Sequence, residues 1–537
     1  MNKIYCYTIV TALLLGAKLV SAQQVDILVE SELKSKIQTK LDQYVSDLTN
    51  EGFNPNVITV SQSDDPSTIR NTLKTHYTSN DLEGVVVIGR VPFVFYKWAD
   101  SNVYVDWYVE RGQVPGTGWG HYDVFPTYYY YSNLTGSWGS KDSYGNYTSI
   151  WGNKTPDVWL GVIRADGLTA TGKSESSLVN SYLDRAHKYR TGTLSGAPPA
   201  RALGVLTGDD PHFYDLEGYW RNKGAILMDD TTIMADYPCK STYLDTMDSS
   251  TGYRVHWHKS AMFWSSSDGF YIDLPACGQI VKATDVLSRN QKICFYAFIG
   301  ACTSGNFDIE NYWSGIHVFG TSHGLASLQS HSNDNGSLWE RKVYNRYFGY
   351  VRAGWRIGEA YLTSFQEMGE GNDIGGHIIG DPTLRVNSHQ GLGKEIAKGK
   401  SVSGSGSVSR ITDGSIKDGN TWTSSDASAQ SVTINLGSSK TVGGALVTWD
   451  EGSVGRDYSV QTSDSSSGPW TTRKSVSDSS TIAKLLVFGS PVSCQYVRLY
   501  MTSGNGSRFG IREMMVFEGE SNIPQTAPAA PTGLRIK

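Results

Sequence analysis

Ile293-Cys-Phe-Tyr-Ala-Phe-Ile-Gly-Ala-Cys-Thr-Ser-Gly-Asn-Phe307 is an apolar run of strand type that breaks off at Ala301-Cys302 into Thr303-Ser304-Gly305-Asn306. Upstream, a second apolar stretch, Tyr253-Arg-Val-His-Trp-His258, ends on a histidine. A thiol at the mouth of one buried strand and an imidazole at the mouth of another are the two groups that cysteine nucleophilic catalysis requires. His256 is a rival base, because residues two apart on a strand share one face.

Around these two strands the pattern alternates. Val25–Glu30, Asn56–Val60, Gly84–Gly89 and Asp157–Ile163 read as strands. Leu33, Ile37, Leu41, Tyr44 and Leu48 fall at helical spacing within Ser31–Glu51. Ser67–Tyr77, with Asp64 or Ser67 as cap, and a segment near 174–190 also read as helices. Strands are further expected at Ala202–Leu206, Arg254–His258, Ile293–Ile299 and Gly315–Phe319. Such alternation predicts an α/β fold, with parallel sheets flanked by helices. In open parallel sheets active sites gather at the carboxyl ends of strands, where Cys302 falls. Residues 100–155, rich in Tyr, Trp, Gly and Asn, read as a long decorated loop. From Gly391 to Ser407 the chain turns to Gly, Ser and Lys and reads as a linker. Short alternating strands then predict an all-β domain. The expected division is 1–22, 23–200, 201–390, 391–407, 408–520 and a tail at 521–537.

Met1–Ala22 has the form of a secretory signal: Lys3, an apolar Thr8–Leu15 and the small residues Val20-Ser21-Ala22. An exported, extracellular or cell-surface protein without a membrane span is expected. The net charge of −5 offers no basic field for nucleic acid. With Cys6 in the signal, Cys239, Cys277, Cys294, Cys302 and Cys494 remain, an odd set that leaves one thiol unpaired. Cys302 is the candidate for it, and Cys239 with Cys277 could form a bridge.

Residues 25–390 resemble the gingipain-like cysteine peptidases, which share a caspase-like fold. The shared landmarks are Val86-Val-Ile-Gly-Arg-Val-Pro92, Pro126-Thr-Tyr-Tyr-Tyr-Tyr131 with Trp138, Pro156-Asp-Val-Trp-Leu-Gly161, Ala301-Cys302 and Ile379-Gly-Asp-Pro-Thr-Leu-Arg385. The resemblance implies Cys302 as nucleophile and His258 as base. Lys259 stands where that family usually has Gly. Residues from about 400 to 519 resemble a discoidin domain, the type C module of coagulation factors, through Ile411-Thr-Asp-Gly414, Trp422, Val432–Gly437, Tyr458, Trp470, Tyr496–Leu499 and Gly510–Phe517. That resemblance implies a β-sandwich, a glycan or cell-surface ligand and one structural Ca2+, with Asp413, Asp418 and Glu518 as ligands by position. No organic cofactor is implied.

The expected reaction is acyl transfer from a peptide substrate to Cys302, with the imidazole moving the proton. Small residues, Ser260 after His258 and Ala301 before Cys302, would let backbone N–H groups reach the oxyanion. Two other readings compete. Loss of catalysis would leave a glycan- or surface-binding protein on a peptidase fold, which Lys259 favours. Gly320-Thr-Ser-His-Gly324 is formally the elbow of a serine esterase, with Ser322, Asp381 and His389 in order. Asp229-Asp230 reads as solvated surface. The sequons at Asn133 and Asn146 are potential glycosylation sites.

Overall fold

Seven consecutive buried residues, Gln24–Glu30, make strand β1 (Gln23–Glu30) a central strand covered on both faces. A computed structural model describes residues 23–99, 122–206, 226–234, 239–248, 250–259, 262–265, 269–274, 277–298, 304–330, 342–368, 374, 376–416 and 419–520. The expected signal segment and the 521–537 tail lie outside the described residues.

With β1, the strands β2 (Phe53–Val60), β3 (Leu82–Ile88), β4 (Trp159–Ile163), β5 (Arg201–Leu206), β6 (Asp230–Met234), β7 (Tyr253–Lys259), β8 (Ile293–Phe298), β9 (Ala326–Ser330) and β10 (Gly376–Gly380) form one sheet. Its order is β6-β5-β7-β8-β9-β10-β4-β3-β1-β2. Every neighbouring pair is parallel except β9–β10, where Ala326 faces Gly380 and Ser330 faces Gly376. Two parallel halves of opposite direction therefore meet at that seam. The expected division at 200/201 is not a break between sheets, because β10 returns to pair with β4 through Ile378 and Gly161. The architecture is a mixed ten-stranded sheet with helices.

Helix α1 (Ser31–Asn50) buries Leu33, Ile37, Leu41, Tyr44 and Leu48, the face that the spacing predicted. Glu30 caps it by accepting from the Leu33 N–H. Helix α2 (Pro66–Ser79) starts on Pro66 with Asp65 as N-cap; neither Asp64 nor Ser67 holds that place. Helix α3 (Glu175–Arg190) is capped by Ser174. Asp381 is fully buried and ties three elements together. It accepts from Tyr44 on α1 at 3.0 Å, pairs with Arg190 on α3 and accepts from the Thr383 N–H at 3.0 Å.

The described part of the aromatic stretch is not an open loop. Tyr122–Thr127 pairs with Val94–Ala99. Tyr129–Ser132 is a helical turn with all four residues buried, so the Tyr128–Tyr131 run does not alternate as a strand would. Tyr130 packs on Trp138 and Tyr147 at centroid distances of 4.9 and 5.4 Å.

The C-terminal β-sandwich comprises β11 (Leu392–Glu395), β12 (Gln430–Trp449), β13 (Gly455–Ser463), β14 (Thr471–Val476), β15 (Ala483–Gly504) and β16 (Gly510–Gly519), ordered β11-β16-β12-β15-β13-β14. Register shifts between Asn435 and Lys440 and between Val442 and Gly444 bend the two longest strands. The 391–407 stretch is not a free linker. Leu392–Glu395 pairs with β16, and Ser401–Ser403 pairs with β12.

Nor is the sandwich tethered loosely. Helices α5 (Lys342–Arg352) and α6 (Ile357–Met368) share a continuous apolar cluster with Leu392, Leu446, Met515 and Phe517. Trp355 donates to the Leu392 carbonyl at 2.7 Å, and Arg346 pairs with Glu395 at 2.6 Å. The approach is close at Gly349, where a Cβ would lie 2.5 Å from the Met515 sulfur and force that side chain to shift.

Candidate active site

Strands β7 and β8 lie side by side and parallel, with His256 opposite Tyr296 and His258 opposite Phe298. Both histidines project from one face of β7, as their spacing predicted. Their rings are 5.3 Å apart. Trp257, between them, packs in the cluster on the other side of the sheet. Cys302, Ala301 and Ser260 lie outside the described residues, four positions beyond Phe298 in the case of the thiol.

A third imidazole joins the pair. His317 sits in a wide helical turn of π type, Ile316–Gly320, and packs at a tilt against Tyr296 at 4.7 Å and Phe298 at 5.2 Å and edge-on against Trp313 at 4.9 Å. All three histidines are fully buried. Both ring nitrogens of His256 and of His317, and Nε2 of His258, have no hydrogen-bond partner among the described residues. Nδ1 of His258 lies 3.3 Å from the Tyr243 hydroxyl.

Burial sets the charge of this cluster. It pushes His256 down to about 3. Burial, then the His256 and His317 rings, holds His258 well below the usual imidazole value. Burial and then His256 do the same to His317. The rings are therefore neutral near pH 7. An unfolded histidine binds its proton near 6.5, so folding releases protons and the native state loses stability as pH falls below that value.

Tyr243 belongs to helix α4 (Lys240–Met247), whose N-cap Cys239 forms a disulfide with Cys277. The bridge that the cysteine count left open is thus made. Cys294 and Cys494 are free and buried; burial raises their thiols to about 12 and about 11. Neither is an activated nucleophile.

The chain that follows position 303 is firmly held. The Ser314 N–H donates to the Ser304 carbonyl, and the Asn311 N–H donates to the Gly167 carbonyl, both at 2.9 Å. Phe307 packs on Tyr128 at 4.9 Å and under the Arg164 guanidinium at 4.7 Å. Gly305 is needed because a Cβ would lie 2.2 Å from Gln329 on β9.

The esterase constellation is not assembled. Gly315–Phe319 is helical rather than a strand, and Ala326–Ser330 is a strand rather than a helix, so the order of an elbow is inverted. Ser322 bonds His323 Nδ1 at 2.8 Å, Asp381 is committed to Arg190 and Tyr44, and His389 pairs with Glu520 at 2.9 Å.

In the sandwich, Asp413 accepts from the Ser415 N–H and the Asn420 amide. Asp418 lies outside the described residues. Glu518 and Glu513 are five residues apart on β16 and so face opposite sides. Glu513 is the one beside Asp413, a pairing that sequence position missed. Burial first, then Glu395 and Asp413, holds the Glu513 carboxyl well above its usual value. No group of three or more His, Cys, Asp or Glu side chains is arranged as metal ligands among the described residues.

Both sequon asparagines are buried and bonded. The Asn133 amide donates to the Asn153 and Thr155 carbonyls, and that of Asn146 to Asp142. In the folded chain these amides are closed to modification. Asp229 lies at the surface, as expected, and pairs there with Arg352 and Lys484. No described helix is long and apolar enough to cross a membrane.

Residues 395–515 match the F5/8 type C domain family, so the C-terminal part is a discoidin-like domain. A search of curated proteins found no match. Among solved structures, chitosan-binding module 1 from the chitosanase/glucanase of Paenibacillus sp. IK-5 is 26% identical, covering 23% of this chain and 98% of that one, with a TM-score of 0.21. The family 32 carbohydrate-binding module of Streptococcus pneumoniae EndoD is 21% identical, covering 23% and 99%, with a TM-score of 0.21. The family 32 module of C. perfringens NanJ, in complex with galactose, is 22% identical, covering 23% and 98%, with the same TM-score of 0.21.

Proposed function

We propose that this chain is an exported cysteine endopeptidase whose discoidin-like domain binds glycans at a surface. The observation that carries the reading is the pair β7–β8: a buried, neutral imidazole at the end of one strand, its Nε2 without a partner among the described residues, beside a parallel strand after which the chain runs on to Cys302. A neutral imidazole is the form that accepts a proton. His258 takes the thiol proton as Cys302 attacks the peptide carbonyl, then returns it to the leaving amine. Water hydrolyses the thioester and regenerates the thiol. His258 is fully covered in this conformation, so substrate entry requires the cover to move. Trapping tests the reading: a panel of peptidyl electrophiles, followed by mass mapping, should label Cys302 and neither Cys294 nor Cys494. Labelling confined to other residues contradicts it.

That same cover, together with Lys259, favours a second reading, a glycan-binding protein on a peptidase fold without catalysis. In that case no peptide is cleaved, while binding to glycans persists.

The carboxylates Asp413 and Glu513 fit a hard cation, and the proposed Ca2+ would be held there rather than at Glu518. A cation there would offset the charge of buried Glu513 and half-buried Asp413. At a hundredfold excess over its Kd, Ca2+ is expected to stabilise the protein by about 2.7 kcal/mol in thermal melts. Glu513→Gln should abolish that increment. Folding raises the Glu513 pKa, so above the unfolded value of about 4.3 the native state loses stability as pH rises towards the raised value. Glu513→Gln removes that loss and should raise the Tm at pH 7 in EDTA. An unchanged calcium response in this variant contradicts the assignment.

A further inference from the structure

We infer that Tyr243 is a positioning residue for the proposed peptidase, its hydroxyl accepting the Nδ1 proton of His258 so that Nε2 keeps the lone pair that the reaction needs. The inference rests on the reading of His258 as the base.

A general base is useful only in one tautomer and one orientation. In a neutral imidazole the proton sits on one nitrogen, and the hydrogen bond made by the other decides which. Around His258 the choice of partners is narrow. His256 on its own strand contacts the ring at 5.3 Å, and Phe298 on β8 does so at 6.1 Å. His317 faces it from the helical turn, and its ring has no hydrogen-bond partner among the described residues. Tyr243 alone among the described residues reaches a ring nitrogen, with its ring 5.5 Å from the imidazole.

Tyr243 is also built to stay put. It is fully buried on α4, and the disulfide Cys239–Cys277 closes on the residue that caps that helix. The Lys240 N–H donates to Gln279 at 2.9 Å, and Lys240 pairs with Asp285 at 2.7 Å, which fastens the same first turn a second time. Burial keeps the phenol neutral, so its oxygen is a fixed partner across the working pH range.

The test pairs kinetics with tautomer spectroscopy on the full mature chain. With a peptide that the wild type cleaves, Tyr243→Phe should lower kcat about tenfold to a hundredfold, less than the loss of a charged orienting carboxylate. KM and Tm should not change. In 15N-histidine-labelled wild type, His258 should be a single tautomer with the proton on Nδ1, and Tyr243→Phe should populate the Nε2–H form. An unchanged kcat, or a wild-type proton already on Nε2, overturns the role of Tyr243 and leaves the peptidase reading standing. A lower kcat with a lower Tm and an unchanged tautomer makes Tyr243 a structural residue and also overturns it. A wild type that cleaves nothing removes the peptidase reading and this inference with it.

Discussion

Arg346→Ala is expected to destabilise the protein by about 3–5 kcal/mol, the range for breaking a buried ion pair on one side. The guanidinium is 1% exposed and bonds Glu395 at 2.6 Å and Glu367 at 2.7 Å. Removing it leaves Glu395, equally buried, beside the carboxyl of Glu513 without the guanidinium that pairs with it. The loss should appear in denaturant unfolding as one transition that shifts as a whole. The apolar cluster under Arg346 spans α5, α6, β11 and β16, so the two parts share a core and not merely a boundary. Two transitions, only one of which moves, would show that the sandwich folds independently of the sheet.

The second large effect separates the two strand histidines. His258→Ala should lower kcat/KM by about 10²–10⁴-fold, the usual worth of a general base. His256→Ala should cost far less, because that ring lies one pleat further from the strand end and opposite Tyr296. The pH profile carries a further signature. Burial and the neighbouring rings hold His258 below 6.5, so it remains a competent base in mild acid. The acidic limb of kcat/KM should therefore fall below pH 6.5. A limb at or above that value, or equal losses in the two variants, would contradict the assignment of His258.

Much of this arrangement was legible in the sequence, and the exceptions have physical reasons. Ile293–Phe298 and Tyr253–His258 are apolar, β-rich runs, and both are strands. The spacing of Leu33 to Leu48 gave the buried face of α1. Gly315–Phe319 was misread because a five-residue apolar run has no periodicity that separates a strand from a buried helix. The seam between β9 and β10 depends on a pairing of distant segments, which no local pattern encodes. Residues 391–407 resemble a linker in composition, yet Leu392 is fully buried and Glu395 nearly so. Glu513 was overlooked because Gly510–Phe517 is buried on both faces and shows no alternation. His317 and Tyr243 carry no motif. Only the three-dimensional packing of their helices against β7 and β8 brings them to His258.

Hydrolysis of a mixed peptide library by the purified mature protein, under reducing conditions with Ca2+, tests the central claim most directly. Cys302→Ala and Ser322→Ala are run beside it. The account predicts cleavage by the wild type and by Ser322→Ala and none by Cys302→Ala. Cleavage that survives in Cys302→Ala, or a wild type that cleaves no peptide, would contradict it.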